Sequence, residues 1–145
     1  MNFILEKLSG NGLSHRPVVE EDFFRICEIE GIFFSEIDEP FSWWMCLDGM
    51  SCITVDRRLK GYKRLFTLFH ELAHHFLHGG TYLTTLQPFG AHNGKTEYEA
   101  DAFAVIAVYP LSAMLNGQLL EAEKSDPYLR KLRKERERIY FLYGI

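Results

Sequence analysis

The sequence predicts an α+β fold: a small antiparallel sheet beside one central helix, with further helices completing the core. Three observations carry this. Residues 63–78 form a helical run that is apolar almost all round, residues 32–55 are rich in aromatic and β-branched side chains, and helical patterns stand on both sides of that pair.

The elements follow in chain order. The opening MNFILEKLSGNG holds only a short apolar stretch and no small-residue cleavage pattern. A first helix is expected from about Pro17, a first-turn proline, with Glu20, Glu21 and Asp22 suiting the positive helix start and Gly31 stopping it. Its buried face is Val19, Phe23, Ile26 and Cys27, which leaves the acids on the wet side. Breaks at Asp38-Glu39-Pro40 and Asp48-Gly49 divide the next stretch into two or three short antiparallel strands. The central helix, residues 63–78, buries Leu65, Phe66, Leu68, Phe69, Leu72, Ala73, Phe76 and Leu77 and ends at Gly79-Gly80. After an irregular Gly- and Thr-containing stretch, a second apolar helix is expected over residues 96–109, with Thr96 as its N-cap and Pro110 as its stop. A shorter apolar segment covers residues 111–115. Asp126-Pro127 then supplies an N-cap and first-turn proline for a last helix reaching about Tyr140, whose mixed charges over residues 130–138 read as a solvated face.

A length of 145 residues suits a single domain, residues 1–145. Sixteen Lys and Arg against 20 Asp and Glu give a formal net charge of -4, which provides no general attraction to phosphate backbones or anionic lipid. Cys27, Cys46 and Cys52 form no CxxC pair, and an odd number argues against a closed disulfide framework. With no apolar run of the length a bilayer requires, the expectation is a soluble cytoplasmic protein.

His70-Glu71-Leu72-Ala73-His74 is an HExxH motif. Helix residues four apart lie about 40° apart around the axis and about 6 Å along it, so both imidazoles can converge on one metal ion. Glu71 points in a neighbouring direction, where its carboxylate can take a proton from an attacking water without ligating the metal. The bland alternative is a core helix holding two histidines and an acid by chance. Burying those groups without partners is costly, whereas a metal and its water would partner all three.

A third ligand has two sources downstream. His78 lies a further turn along and rotated again, so the same straight helix cannot bring it to the metal with His70, and it is assigned a structural role at the helix end. Gly80 stands where the metzincin pattern needs its last histidine, which excludes that subclass. The better source is the next long helix, where Glu97 and Asp101 are four apart and share a face. Glu97 would ligate the metal and Asp101 would orient a liganding histidine, while Glu99 faces away from both. Ala100 and Ala104 would let this helix approach the first closely, with Phe103 filling the core. Read alone, these residues are an amphipathic helix with acids in its first turn; the pairing with HExxH raises them above that.

The strings FTLFHELAHHFLH and EYEADAFAVIAVYP closely resemble the ImmA/IrrE family of HExxH metallopeptidases, over roughly residues 53–115. The resemblance implies a zincin-like core, zinc ligands at His70, His74 and Glu97, and a catalytic base at Glu71, with Asp101 in the Asn-or-Asp place of the second helix. It also implies a protein substrate, a repressor with a helix-turn-helix DNA-binding domain, whose cleavage relieves repression of phage, mobile-element or stress-response genes. No helix-turn-helix or sensory segment is read in this sequence.

Three rival readings are weighed beside it. A metal-containing binding protein could capture a repressor or toxin without cutting it, although the intact set of four core residues speaks for cleavage. A zinc hydrolase of another substrate class is a second, because zinc and a glutamate do not encode peptide specificity. A direct DNA-binding regulator is the weakest, given the acidic balance. Tyr98, His75, His78 and His92 are polar candidates for stabilising an oxyanion, each with an ordinary packing role as its alternative. Phe41, Trp43 and Trp44 could line a groove, but aromatic strand residues more often complete a core.

Overall fold

The computed structural model of the protein describes residues 1–79 and 94–145. Its elements run α1 (Asn2–Gly10), α2 (Glu20–Glu30), β1 (Phe33–Ile37), β2 (Trp43–Leu47), β3 (Met50–Asp56), α3 (Gly61–His78), α4 (Gly94–Val108), α5 (Leu111–Asn116), α6 (Leu120–Ser125) and α7 (Pro127–Tyr143). The α+β class is as the sequence predicts. The irregular stretch and the second glycine of the Gly79-Gly80 stop lie outside the described residues.

The sheet differs from expectation in one strand direction. Its order is β1-β3-β2, with β2 antiparallel to β3 but β1 parallel to it. Asp48 and Gly49 both take positive φ, 51° and 77°, which makes the tight hairpin joining β2 to β3. The chain therefore returns between β1 and β2. β3 carries Ile53 and Val55, both fully buried, so the most buried strand takes the centre and β1 is left alongside it in the parallel sense.

α3 lies across the sheet and packs against α4 along its length, with Phe69, Leu68 and Leu72 meeting Phe103, Ala100 and Ala104 in one continuous core. α4 is buried almost all round beyond its first turns, because α1 and α7 cover its other sides. α1 is an element that the sequence did not announce: Ile4 and Leu8, one turn apart, are both fully buried in this core. Thr96, expected as an N-cap, lies inside α4, which begins at Gly94.

The first turn of α2 also departs from its expected wet face. Asp22 is buried, takes two hydrogen bonds from the Arg16 guanidinium at 2.9 Å, and accepts the Val19 N–H at 2.9 Å, closing the helix start. Gly31, in the left-handed conformation at φ 68°, ends that helix as expected. On α7, Arg136 is only 1 % exposed within the run read as solvated. It donates to the Tyr109 and Ile145 carbonyl oxygens at 2.8 and 2.7 Å, and its burial lowers the guanidinium to about 10. α6, also unannounced, brings buried Glu123 to the Tyr109 hydroxyl at 3.0 Å and to Arg133 at 2.8 Å.

Asp126 joins two helices. One carboxylate oxygen accepts the Tyr128 N–H at the start of α7 and the other accepts the Tyr62 N–H at the start of α3, each at 3.1 Å. Gly61 is required here: its φ is 60°, and a Cβ would stand 2.8 Å from the Asp126 carboxylate.

Candidate metal centre

The centre is built where the C-terminal half of α3 faces the first turns of α4. Helical spacing puts His70 and His74 on the side of α3 that meets α4, and Glu97 reaches both. His70 Nε2 is 3.1 Å from Glu97 Oε2, and His74 Nε2 is 3.2 Å from Glu97 Oε1. One donor atom from each of the three lies within 4.8 Å of the others.

This donor set fits a zinc ion. Two ligands at about 2.0–2.1 Å from a tetrahedral zinc stand roughly 3.3 Å apart, close to the spacing between each imidazole and the carboxylate. The electrostatics agree. With only protons to balance them, His70 and His74 hold Glu97 far below the usual carboxylate range. Burial opposes a charge on His70, but Asp101 and Glu97 outweigh it and lift the imidazole to about 10. A cluster that draws positive charge so strongly between two nitrogens and a carboxylate is suited to a divalent cation.

Asp101, four residues after Glu97, approaches His70 Nδ1 at 2.8 Å, though away from the axis of the ring N–H, so the contact is more electrostatic than directional. Its place behind His70 is the one that the shared helix face predicts. His74 is held differently. Its Nδ1 lies 3.0 Å from His78 Nδ1, the Nε2 of His78 lies 3.3 Å from Glu99 Oε2, and Trp44 stacks on the His74 ring at 6.0 Å between centroids. Glu99 does face away from the convergent donors, but toward His78. Sequence reasoning missed that pairing because it depends on how α3 and α4 cross; the residue spacing on either helix alone carries no signal of it.

Glu71 stands beside the donor group, only 5 % exposed, and accepts a hydrogen bond from Ser42 Oγ at 3.2 Å. Burial pushes its carboxyl up to about 7 against the opposing pull of His70 and Ser42. Ser42, just before β2, is a second contact that the sequence did not single out.

The other polar candidates are engaged elsewhere. His75 turns to the sheet side, its ring nitrogens 2.6 Å from Ser51 Oγ and 3.0 Å from Glu30. The Tyr98 hydroxyl is 3.2 Å from that of Tyr143, with the Arg138 guanidinium over its ring. His92 lies outside the described residues. Of the aromatic strand residues, Trp44 is fully buried and Trp43 half-buried.

Among the described residues no helix is long and apolar enough to cross a membrane. A family profile described as the IrrE N-terminal-like domain of a peptidase family matches residues 32–141. No curated protein and no solved structure matches the chain. The match runs from just before β1 into α7 and so contains the sheet and both donor-bearing helices, while α1 and α2, which pack on α4 and α3, precede it. The chain therefore belongs to the peptidase family of the IrrE N-terminal-like domain, of zincin-like fold and metallopeptidase type.

Proposed function

We propose that the protein is a zinc-dependent endopeptidase that cleaves a helix-turn-helix transcriptional repressor and so relieves repression. The observation that carries this reading is the convergence of His70, His74 and Glu97 beside a buried carboxylate, Glu71, that is not one of the three. Zinc held by those three residues would supply a Lewis acid for the scissile carbonyl and a lowered pKa for water. Glu71 is the proton carrier. Its Oε1 is steadied by Ser42, and a buried carboxylate beside the convergent donors is placed to take a proton from the attacking water and deliver it to the leaving amine. Asp101, at His70 Nδ1, would steady that ring while Nε2 and the Glu97 carboxylate face the metal. The repressor as substrate, and zinc rather than another divalent ion, rest on the resemblance of the two helix strings to the ImmA/IrrE family.

The test measures metal content in wild type, Glu71→Gln and Glu97→Ala, each then incubated with a repressor encoded near the gene. Metal in wild type and Glu71→Gln, weaker retention in Glu97→Ala, and cleavage by wild type alone are the expected results. Cleavage by Glu71→Gln at more than about a hundredth of the wild-type rate would remove Glu71 from its role as base. Wild type that carries zinc, co-purifies with the repressor and leaves it whole would replace cleavage by capture.

A further inference from the structure

His74 is the more deeply buried of the two convergent histidines, 1 % exposed, and its Nδ1 faces His78, whose other ring nitrogen faces Glu99. We propose that His78 and Glu99 form a positioning relay for His74, a line of hydrogen bonds running from α4 back to α3 that presents the His74 Nε2 lone pair to the metal. This rests on the reading of the centre as a zinc site and goes beyond it, since it gives a task to two residues outside the donor group.

The relay follows from hydrogen-bond polarity. A carboxylate is an acceptor only, so the His78 Nε2 facing Glu99 Oε2 at 3.3 Å is the donor. A neutral His78 that carries its proton on Nε2 has a lone pair on Nδ1. That lone pair faces His74 Nδ1 at 3.0 Å, which must then be the N–H side of its own ring. The remaining nitrogen, Nε2, is left with its lone pair on the side where Glu97 Oε1 and the other donors converge. Each bond thus fixes the next tautomer, and Glu99 sets the series.

The setting keeps the line in place. The side chains of His78 and Glu99 are 11 % and 13 % exposed, Trp44 stacks flat on His74, and Lys95 approaches the other Glu99 oxygen at 3.9 Å. The three histidines stand in successive turns of one helix, so the geometry that lets His70 and His74 share a metal also lets His74 and His78 touch. His78 is one turn too far to ligate with them, and serves one step behind.

The experiment is a zinc titration of the full chain against a competing chelator at fixed pH, with Glu99→Gln and His78→Ala beside wild type, and thermal melts of each protein without metal. Glu99→Gln retains the shape of the side chain but replaces an acceptor-only carboxylate with a neutral amide that can face His78 with donor or acceptor, so it removes the charge and the fixed polarity rather than the packing. The relay predicts zinc affinity lower by roughly 10- to 100-fold in both variants, and a metal-free melt of Glu99→Gln close to wild type. It further predicts that in the zinc-loaded protein the His74 Nδ1 proton is visible by NMR and slow to exchange, and becomes fast in His78→Ala. Should His78→Ala fail to fold, Glu99→Gln decides alone. Zinc affinity of Glu99→Gln within about twofold of wild type, or zinc found on Nδ1 of His74, overturns the relay while leaving the zinc site standing. Wild type that binds no zinc overturns both.

Discussion

Along α3, residues 61–69 and residues 70–78 both bring polar groups against neighbouring elements, but they use them in opposite ways. In the first half the partly buried polar groups meet an opposite charge or a backbone group. Asp126 accepts the Tyr62 N–H, and Arg64 spans Glu20 of α2 and Glu36 of β1 at 2.9 Å each. In the second half, nitrogens and carboxylate oxygens crowd toward a single point, and Glu71 is buried with its carboxyl pushed up to about 7. The first arrangement is closed and holds three elements to one helix end. The second is left electrostatically unfinished, as a site for a cation and a reaction requires. One helix thus separates a clamp from a centre, and substitutions in the two halves should change different quantities.

The largest expected effect tests that separation directly. In metal-free protein Glu71 has a folded-state pKa raised from 4.5 to about 7, so the fold binds its proton more tightly than the unfolded chain does. Stability attributable to this group is present at low pH and declines as pH rises from about 4.5 through about 7. Glu71→Gln should remove the decline and raise metal-free stability at pH 8 by roughly 1–3 kcal/mol, although it abolishes cleavage. Chemical denaturation of chelator-treated wild type and variant at pH 5 and pH 8 measures it; equal stabilities at pH 8 would break the comparison at its chemical end.

A smaller effect of opposite sign is expected in the clamp. Asp126→Ala uncaps α7 and frees the Tyr62 N–H together, and should cost about 1–2 kcal/mol in a urea melt with zinc affinity unchanged. Loss of metal in step with stability would show that the two halves are not separable. Smallest is Arg64→Met. Its partners Glu20 and Glu36 are 40 % and 30 % exposed, so solvent screening holds the cost to about 1 kcal/mol. That loss should shrink in high salt, and a salt-independent loss would mean that packing of the side-chain stem is what matters.

Much of the architecture could be read from the chain because its signals are local. The apolar periodicity of α3 and α4, the Asp126-Pro127 start of α7 and the Asp48-Gly49 hairpin each depend on a few neighbouring residues. The two histidines of HExxH were readable for the same reason, since i, i+4 spacing says which side chains share a face before any tertiary contact is known; Glu97, on another helix, was reached through the resemblance of the two helix strings. What was not readable is relational. The direction of β1 depends on where β3 inserts, the nine residues of α1 acquire meaning only against α4, and Arg136 is buried because two backbone carbonyls wait for it. The contact of His78 with Glu99 belongs to the same class, since it is made by the crossing of two helices.

The stacking of Trp44 on His74 gives the molecule an optical consequence. An indole lying nearly parallel to an imidazole, at 20° and 6.0 Å, reports on the electronic state of that ring. The chain has two tryptophans, and Trp44 is the fully buried one, shielded from solvent quenching. Intrinsic emission therefore carries a signal from the centre without any added dye, and a paramagnetic ion such as cobalt, bound through His74, would darken it across that one ring pair.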